Sequence, residues 1–289
     1  MIDKDAKKII YLYAGQGAAS YLLLLEGLRA SLKDSAEFEI RTFDSDFIRQ
    51  TGRFDPETVQ AIILPGGARP QYDKTLGAHG FGLIRDFVLN GGTFLGVCAG
   101  AYYASKSFEW QPGGLPPVRK NPGLDFFNGL ARGPLPNAVD HDKGYDSWYD
   151  LGLLTTSLHN QNRGRQDVSG QCIYWGGPLF KAQESRAEMK VLASVEVAGA
   201  REPAILKIPF GQGQAIVSNI HPEISARHLK AYTKPSVTPA ADERAYLKNI
   251  VSRLEANEPF RATVWERMMD EIRRRPEGSP DPQRVAKLF

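Results

Sequence analysis

The chain has 289 residues, 42% of them hydrophobic and 24% charged, with a formal net charge of +3. This is the composition of an ordinary globular protein; the charge is too small for the length to suggest a nucleic-acid surface, and no basic stripe with interleaved aromatics appears. Two cysteines, Cys98 and Cys172, exclude a disulfide framework and a four-thiolate zinc site. No apolar run approaches a membrane span, and the N-terminus lacks a signal-peptide core, so a cytoplasmic location is expected unless a leader has been removed.

The first hundred residues alternate strand-like and helix-like segments. Ile9 to Ala14 reads as a buried strand, Gly15-Gln16-Gly17 as its turn, and Ser20 to Leu32 as a helix with clustered leucines. Phe38 to Phe43 and Ala61 to Leu64 read as strands, Phe81 to Leu89 as a helix stopped by Gly91-Gly92, and Thr93 to Val97 as the next strand. Such alternation predicts a parallel α/β sheet with right-handed crossovers. Ligands of such sheets bind beyond the carboxyl ends of the strands, where Gly15, Gly66 and Cys98 fall.

From about Gln111 to Gly177, Pro, Gly, Asn, Asp and aromatic residues are frequent and periodicity is poor. This region is expected to be long connections with short strands such as Cys172 to Trp175, forming a wall over the site. Val191 to Val197, Ala204 to Ile208 and Gln214 to Ser218 read as strands; Asp242 to Leu254 and Thr263 to Arg275 read as helices. The expected division is a main domain over 1–240, a helical extension over 241–275 and a frayed tail over 276–289.

Cys98 ends an apolar run and is followed at once by Ala99-Gly100-Ala101. Small residues permit a tight strand-to-helix turn that exposes a thiol beside backbone N–H groups and a positive helix end. Such surroundings favour the thiolate, the form that attacks carbonyl carbon; a small buried core residue is the alternative. A nucleophilic cysteine needs a base and a group that orients it. His221 follows a predicted strand, and Glu223 two residues on reaches the same side of an extended chain. Pro222 between them restricts the arrangement. Leu64-Pro65-Gly66-Gly67 supplies a glycine turn, so the N–H groups of Gly67 and Ala99 are the expected oxyanion donors.

In order and approximate placement, these three pieces resemble class I glutamine amidotransferase-like domains, which carry a Pro-Gly-Gly turn, a Gly-x-Cys-x-Gly elbow and a distant His-Pro-Glu. The resemblance implies a flavodoxin-like, three-layer α/β sandwich with a mostly parallel central sheet. It also implies Cys98 as nucleophile, His221 as base and Glu223 as orienting carboxylate. Residues 9 to 225 more narrowly resemble the N-terminal domain of biotin-protein ligases and its free-standing bacterial relatives. The matching pieces include Tyr13-Ala14-Gly15-Gln16-Gly17-Ala18, Gly91 to Tyr102, Phe126-Phe127-Asn128-Gly129, Arg132-Gly133-Pro134 and Tyr174-Trp175-Gly176-Gly177-Pro178. Nothing resembles the ligase catalytic domain beyond an echo of its arginine-glycine loop at Asn162-Arg163-Gly164-Arg165, so biotin ligation is not expected.

Two departures matter. Amidotransferases usually carry Gln where this chain has Tyr102, and no synthetase domain is present to receive ammonia. The related deglycase and peptidase-like branch often places a carboxylate after the first strand, and Gly15-Gln16-Gly17-Ala18 has none. The expected activity is therefore a cysteine-dependent hydrolase or amidotransferase-like reaction on an amide or related acyl bond. The alternative is a non-catalytic small-molecule-binding or regulatory module that keeps the pocket.

Gly66, Tyr102, Gly15, Gly17 and Trp175 are the expected substrate-binding positions; Tyr145, Trp148 and Tyr149 either line a cavity or pack. Asp140, His141 and Asp142 read as an exposed loop, Arg69, Arg163 and Arg165 as solvated loop arginines, and Cys172 as structural. No cofactor or metal is expected. The expected partner is a small-molecule or amide-containing substrate, with no nucleic acid or membrane. The helices around Trp265, Met268 and Met269 either cap their own domain or meet a partner protein or second copy.

Overall fold

Strands with apolar side chains at successive positions must be covered on both faces. In the computed structural model this is so for β1 (Lys8–Tyr13), β3 (Val59–Leu64) and β4 (Thr93–Val97); every residue of the last two is buried. The structure describes residues 7–67, 69–111, 116–135, 148–160, 166–183, 188–274 and 276. The remaining early elements are α1 (Tyr21–Leu32), β2 (Phe38–Phe43), α2 (Ser45–Gln50), α3 (Arg69–Thr75) and α4 (Gly77–Leu89), followed by the short α5 (Ala99–Tyr103).

Strands β1 to β4 run parallel in the order β2-β1-β3-β4, and a fifth parallel strand, β13 (Gly213–Ser218), lies beside β4. The sheet then turns antiparallel through β12 (Ala200–Phe210), β11 (Lys190–Val197), β8 (Gly152–Leu158) and β9 (Val168–Tyr174), nine strands in all. The expected parallel α/β sheet is present, joined to an antiparallel half. A second sheet holds β10 (Leu179–Ala182), β7 (Phe127–Gly133), β5 (Ser105–Trp110) and β6 (Val118–Lys120) in that order. The region read as irregular wall therefore contains two strands of this sheet, β6 and β7, and two seven-residue strands of the main one, β8 and β9.

Cores cover both faces of the main sheet. One is aromatic: Tyr11, Phe43 and Phe54 meet edge to face, and Tyr72, Tyr103 and Phe108 continue the cluster towards the second sheet. The other packs Leu24 and Leu28 of α1 with Ile10, Leu12, Leu95 and Val97. The same cluster contains Val264, Trp265, Met268, Met269 and Ile272. These residues belong to α8 (Glu258–Arg273), which follows α6 (Ala226–Lys230) and α7 (Ala241–Ala256).

This helix, expected within a C-terminal helical extension, packs the face around Trp265, Met268 and Met269 into the main core. Two side-chain amides pin its end: Gln60 Nε2 donates to Ile272 O at 2.7 Å, and Gln214 Nε2 to Glu271 O at 2.8 Å. The buried Glu271 carboxylate is held by Lys207 at 2.6 Å and Arg267 at 3.0 Å, the pairing a buried charge requires. Among the described residues no helix is long and apolar enough to cross a membrane.

Because Met268 is fully buried in the shared core, Met268→Ala should destabilise the whole domain by about 2–5 kcal/mol. Urea unfolding should show this as a lower midpoint in one cooperative transition. A separate early loss of helix would instead mean that α8 is an independent unit.

Candidate functional site

Cys98 stands between β4 and α5 with φ 50° and ψ −103°, in the strained half of backbone space. A non-glycine residue held there costs about 1–3 kcal/mol and persists only where its surroundings enforce it. Two glycines make the turn sterically possible. A Cβ at Gly96 would lie 2.6 Å from the Gly100 carbonyl, and one at Gly100 would overlap the Leu64 carbonyl of β3. Cys98 N donates to Ser218 O at 2.9 Å, tying the elbow to β13. Its thiol is 8% exposed and donates to Trp175 O at 3.2 Å.

The His-Pro-Glu segment leaves the end of β13. His221 N donates to Ile173 O at 2.8 Å, and Ile224 N closes the turn on His221 O at 3.1 Å. Nδ1 of His221 is 2.7 Å from Glu223 Oε1, with the residues 2% and 1% exposed. Burial opposes the imidazolium, but the Glu223 carboxylate and the Cys98 thiol outweigh it and push the His221 pKa up to about 10. His221 Nε2 and Glu223 Oε2 have no hydrogen-bond partner among the described residues. The thiol thus lies close enough to bias the imidazole toward its charged form, while its hydrogen bond goes to Trp175.

Gly66 completes the cluster. A Cβ there would lie 2.9 Å from both His221 Cε1 and Ser20 Oγ, and 3.4 Å from Cys98 Cβ. Its carbonyl accepts from Ser20 N at 3.1 Å and Ser20 Oγ at 3.2 Å, and the Tyr72 hydroxyl holds Pro65 O at 2.8 Å. Gly67 N–H has no acceptor among the described residues, and Ala99 N–H, first in its helix, has no preceding turn to bond.

The expected substrate-binding positions separate. Gly15 and Gly17 serve close packing: a Cβ at Gly15 would overlap the Tyr13 ring, and Gly17 O lies where a Cβ on Gly67 would go. Tyr102 is only 1% exposed. It donates to Gly176 O at 3.0 Å and meets Phe108 and Trp110 edge to face, so it fastens the 175–177 segment and offers a ligand no open surface. Trp175 brings its carbonyl to the thiol. Its half-buried ring lies 6.4 Å edge-on from His221 and 5.7 Å from Trp148. Tyr149 packs on Tyr246. Cys172 is fully buried, and burial pushes its thiol up to about 12.

Ala68, Asp140, His141, Asp142, Tyr145, Arg163 and Arg165, with the side chain of Arg69, lie outside the described residues. Among the described residues no group of three His, Cys, Asp or Glu is arranged to hold a metal. A surface pocket lined by Ala226, Arg227, Lys230, Glu255 and Glu258 includes none of the elbow residues, and the thiol site itself is enclosed.

Sequence reading missed Ser20, whose hydroxyl has no motif but faces the same point as His221. It also missed a second relay in which His159 joins Asp167 at 2.8 Å and Ser194 at 2.7 Å. Ser194 sits opposite Ser157 in β11, within a regular strand pair and without an elbow, so this relay clasps the β8–β9 hairpin to its neighbour.

Residues 8–288 match the family model described as "Biotin-protein ligase, N terminal". The chain belongs to this family. An uncharacterized protein of Chlamydia muridarum is 30% identical over 190 residues, covering 63% of this chain and 69% of that relative. A biotin-protein ligase of Schizosaccharomyces pombe is 29% identical over 174 residues, 59% of this chain but only 26% of the ligase. This chain thus corresponds to about a quarter of that relative. A glutamine amidotransferase from Thermotoga maritima has the same fold, with a TM-score of 0.54 and 14% identity over 92% of this chain and 97% of that one. The fold class expected from the motifs is thereby established as amidotransferase-like.

The folded chain binds the His221 proton more tightly than an unfolded chain, with its ordinary value of 6.5. The stability this contributes is complete below about pH 6.5 and is lost as pH rises through about 10. In Glu223→Gln, burial remains while the attracting carboxylate is gone. NMR titration of the His221 ring should then show a pKa well below about 10. An unchanged alkaline value would mean that Glu223 is not what holds the proton.

Proposed function

We propose that the protein is a cysteine-dependent hydrolase or amidotransferase-like enzyme acting on an amide or related acyl bond, with Cys98, His221 and Glu223 as its triad. The observation that carries this reading is the buried His221–Glu223 pair, its second ring nitrogen unpartnered, against a cysteine held in strained backbone. A structural cysteine needs neither the strain nor the charged neighbour.

In the proposed reaction the Cys98 thiolate attacks the carbonyl carbon, and the N–H groups of Gly67 and Ala99 receive the developing oxyanion. The tetrahedral intermediate collapses as the C–N bond breaks, His221 gives its proton to the departing amine, and a thioester remains on Cys98. Water, losing a proton to His221, then attacks the thioester; the carboxylic acid leaves and the Cys98 thiolate beside protonated His221 is restored. In transfer, an amine replaces that water. The ligase activity of the Schizosaccharomyces pombe relative is not carried over, because the match covers so little of that protein.

One observation favours the second reading, a binding or regulatory module. The thiol hydrogen-bonds to Trp175 O and is nearly enclosed, so the site is closed to all but small reagents. A ligand that raises the melting temperature of wild type and Cys98→Ser equally, without wild-type turnover, supports this module.

Iodoacetamide near neutral pH should modify Cys98 well ahead of Cys172, and peptide mass mapping reads the order directly. Preferential labelling of Cys172 would sink the nucleophile reading. On an amide substrate found by screening, Cys98→Ser should lose about a thousandfold or more in kcat. The wild-type rate should decline as pH rises through about 10, where His221 loses the proton it must donate.

A further inference from the structure

The peptide between His221 and Glu223 is held from behind by the C-terminal helix. Arg261 of α8 has its guanidinium in the interior, the residue 8% exposed, and its Nη1 donates to Pro222 O. Its Nε and Nη2 both donate to Glu258 Oε1, at 2.9 and 2.6 Å. The other oxygen of Glu258 accepts from Ala226 N at 3.4 Å, at the start of the helix that follows the His-Pro-Glu turn. One planar fork therefore joins the carbonyl inside the turn to a carboxylate that also braces the segment leaving it. A lysine, with a single point of charge, cannot do both at fixed angles.

One helical turn later the same helix makes a second contact. Trp265 Nε1 donates to Gly27 O at 3.4 Å. A Cβ on Gly27 would lie 3.4 Å from Glu223 Cβ and 3.5 Å from Trp265 Cζ2, so α1, Trp265 and Glu223 meet where Gly27 has no side chain. The acid of the pair is backed at the same place where its backbone is held.

We propose that Arg261 is a positioning residue for His221 and Glu223, and that α8 thereby belongs to the site as well as to the core. The proposal rests on reading Cys98, His221 and Glu223 as the reactive group. Pro222 O belongs to the backbone that joins the two residues, so rotation of that peptide swings His221 and Glu223 relative to each other.

The test compares Arg261→Met and Arg261→Lys with wild type in the full chain. It uses circular dichroism for folding, the iodoacetamide rates of Cys98 and Cys172, and the NMR titration of His221. A folded Arg261→Met should alkylate at Cys98 about tenfold more slowly or worse, as expected when a group is misplaced by a fraction of an ångström. Its fully buried Cys172 should stay slow, and its His221 titration should move down from about 10 as the carboxylate loses alignment. Arg261→Lys, which keeps a donor for Pro222 O, should recover part of both. A folded Arg261→Met with the wild-type rate and titration overturns the proposal.

If Arg261→Met does not fold, Glu258→Gln weakens the brace and should move both readouts the same way by less; no movement again overturns it. A wild-type Cys98 as slow as an ordinary thiol, with a His221 titration that still responds to Arg261, rejects the nucleophile and supports the clamp. A fast Cys98 indifferent to Arg261 rejects the clamp alone.

Discussion

The pairing of β4 with β13 is the constraint on which the site depends. Both strands run the same way, and Val97 stands opposite Ser218. Residues just past both strand ends therefore emerge at one level of one sheet edge, and the Cys98 N–Ser218 O bond fixes that level. Parallel neighbours cannot be joined by a tight turn. The whole antiparallel half of the main sheet and the second sheet are threaded between β4 and β13, and these carry the covering segment that ends at Trp175.

Close backbone approach sets the second level of organisation. Gly66, Gly96 and Gly100 each stand where a methyl group would meet another part of the site. Three separate segments can then come within contact distance of Cys98 without side chains intervening. Charge burial sets the third. His221 and Glu223 have been taken out of water together, and a buried ionised pair is tolerated only when its geometry is good. This explains why the rest of the chain holds that turn through main-chain bonds from Ile173 and Ile224 and a guanidinium from α8.

Much of the parallel half was legible in the sequence because β1, β3 and β4 are largely apolar on both faces and α1 carries leucines on one. Ile9 to Ala14 and Thr93 to Val97 needed no tertiary information. The antiparallel half was hidden by composition: β8 and β9 carry Thr155, Thr156, Ser157, Ser169 and Gly170, and such strands do not read as continuous apolar runs. β5 follows α5 after the single residue Ala104, with no Gly or Pro to mark the boundary. The helix starting at Glu258 carries its own start signal in Pro259, yet the apolar pattern alone set its start at Thr263. At the site, Cys98, His221, Glu223 and Gly66 were visible because their chemistry demands particular residue types at particular spacings. Arg261 was not, because its partner is a main-chain carbonyl and any residue could supply one.

Tyr102 occupies the position where the amidotransferase pattern has glutamine, and its hydroxyl reaches out of α5 to Gly176 O. The short helix that begins after Cys98 is thus bolted to the 175–177 segment beside it. A hinge and its latch are here one rigid piece. Lifting that segment by any distance that breaks this bond leaves a phenol oxygen without its buried acceptor, at a desolvation cost of about 1–3 kcal/mol. Tyr102 therefore ties the position of the 175–177 segment to that of α5.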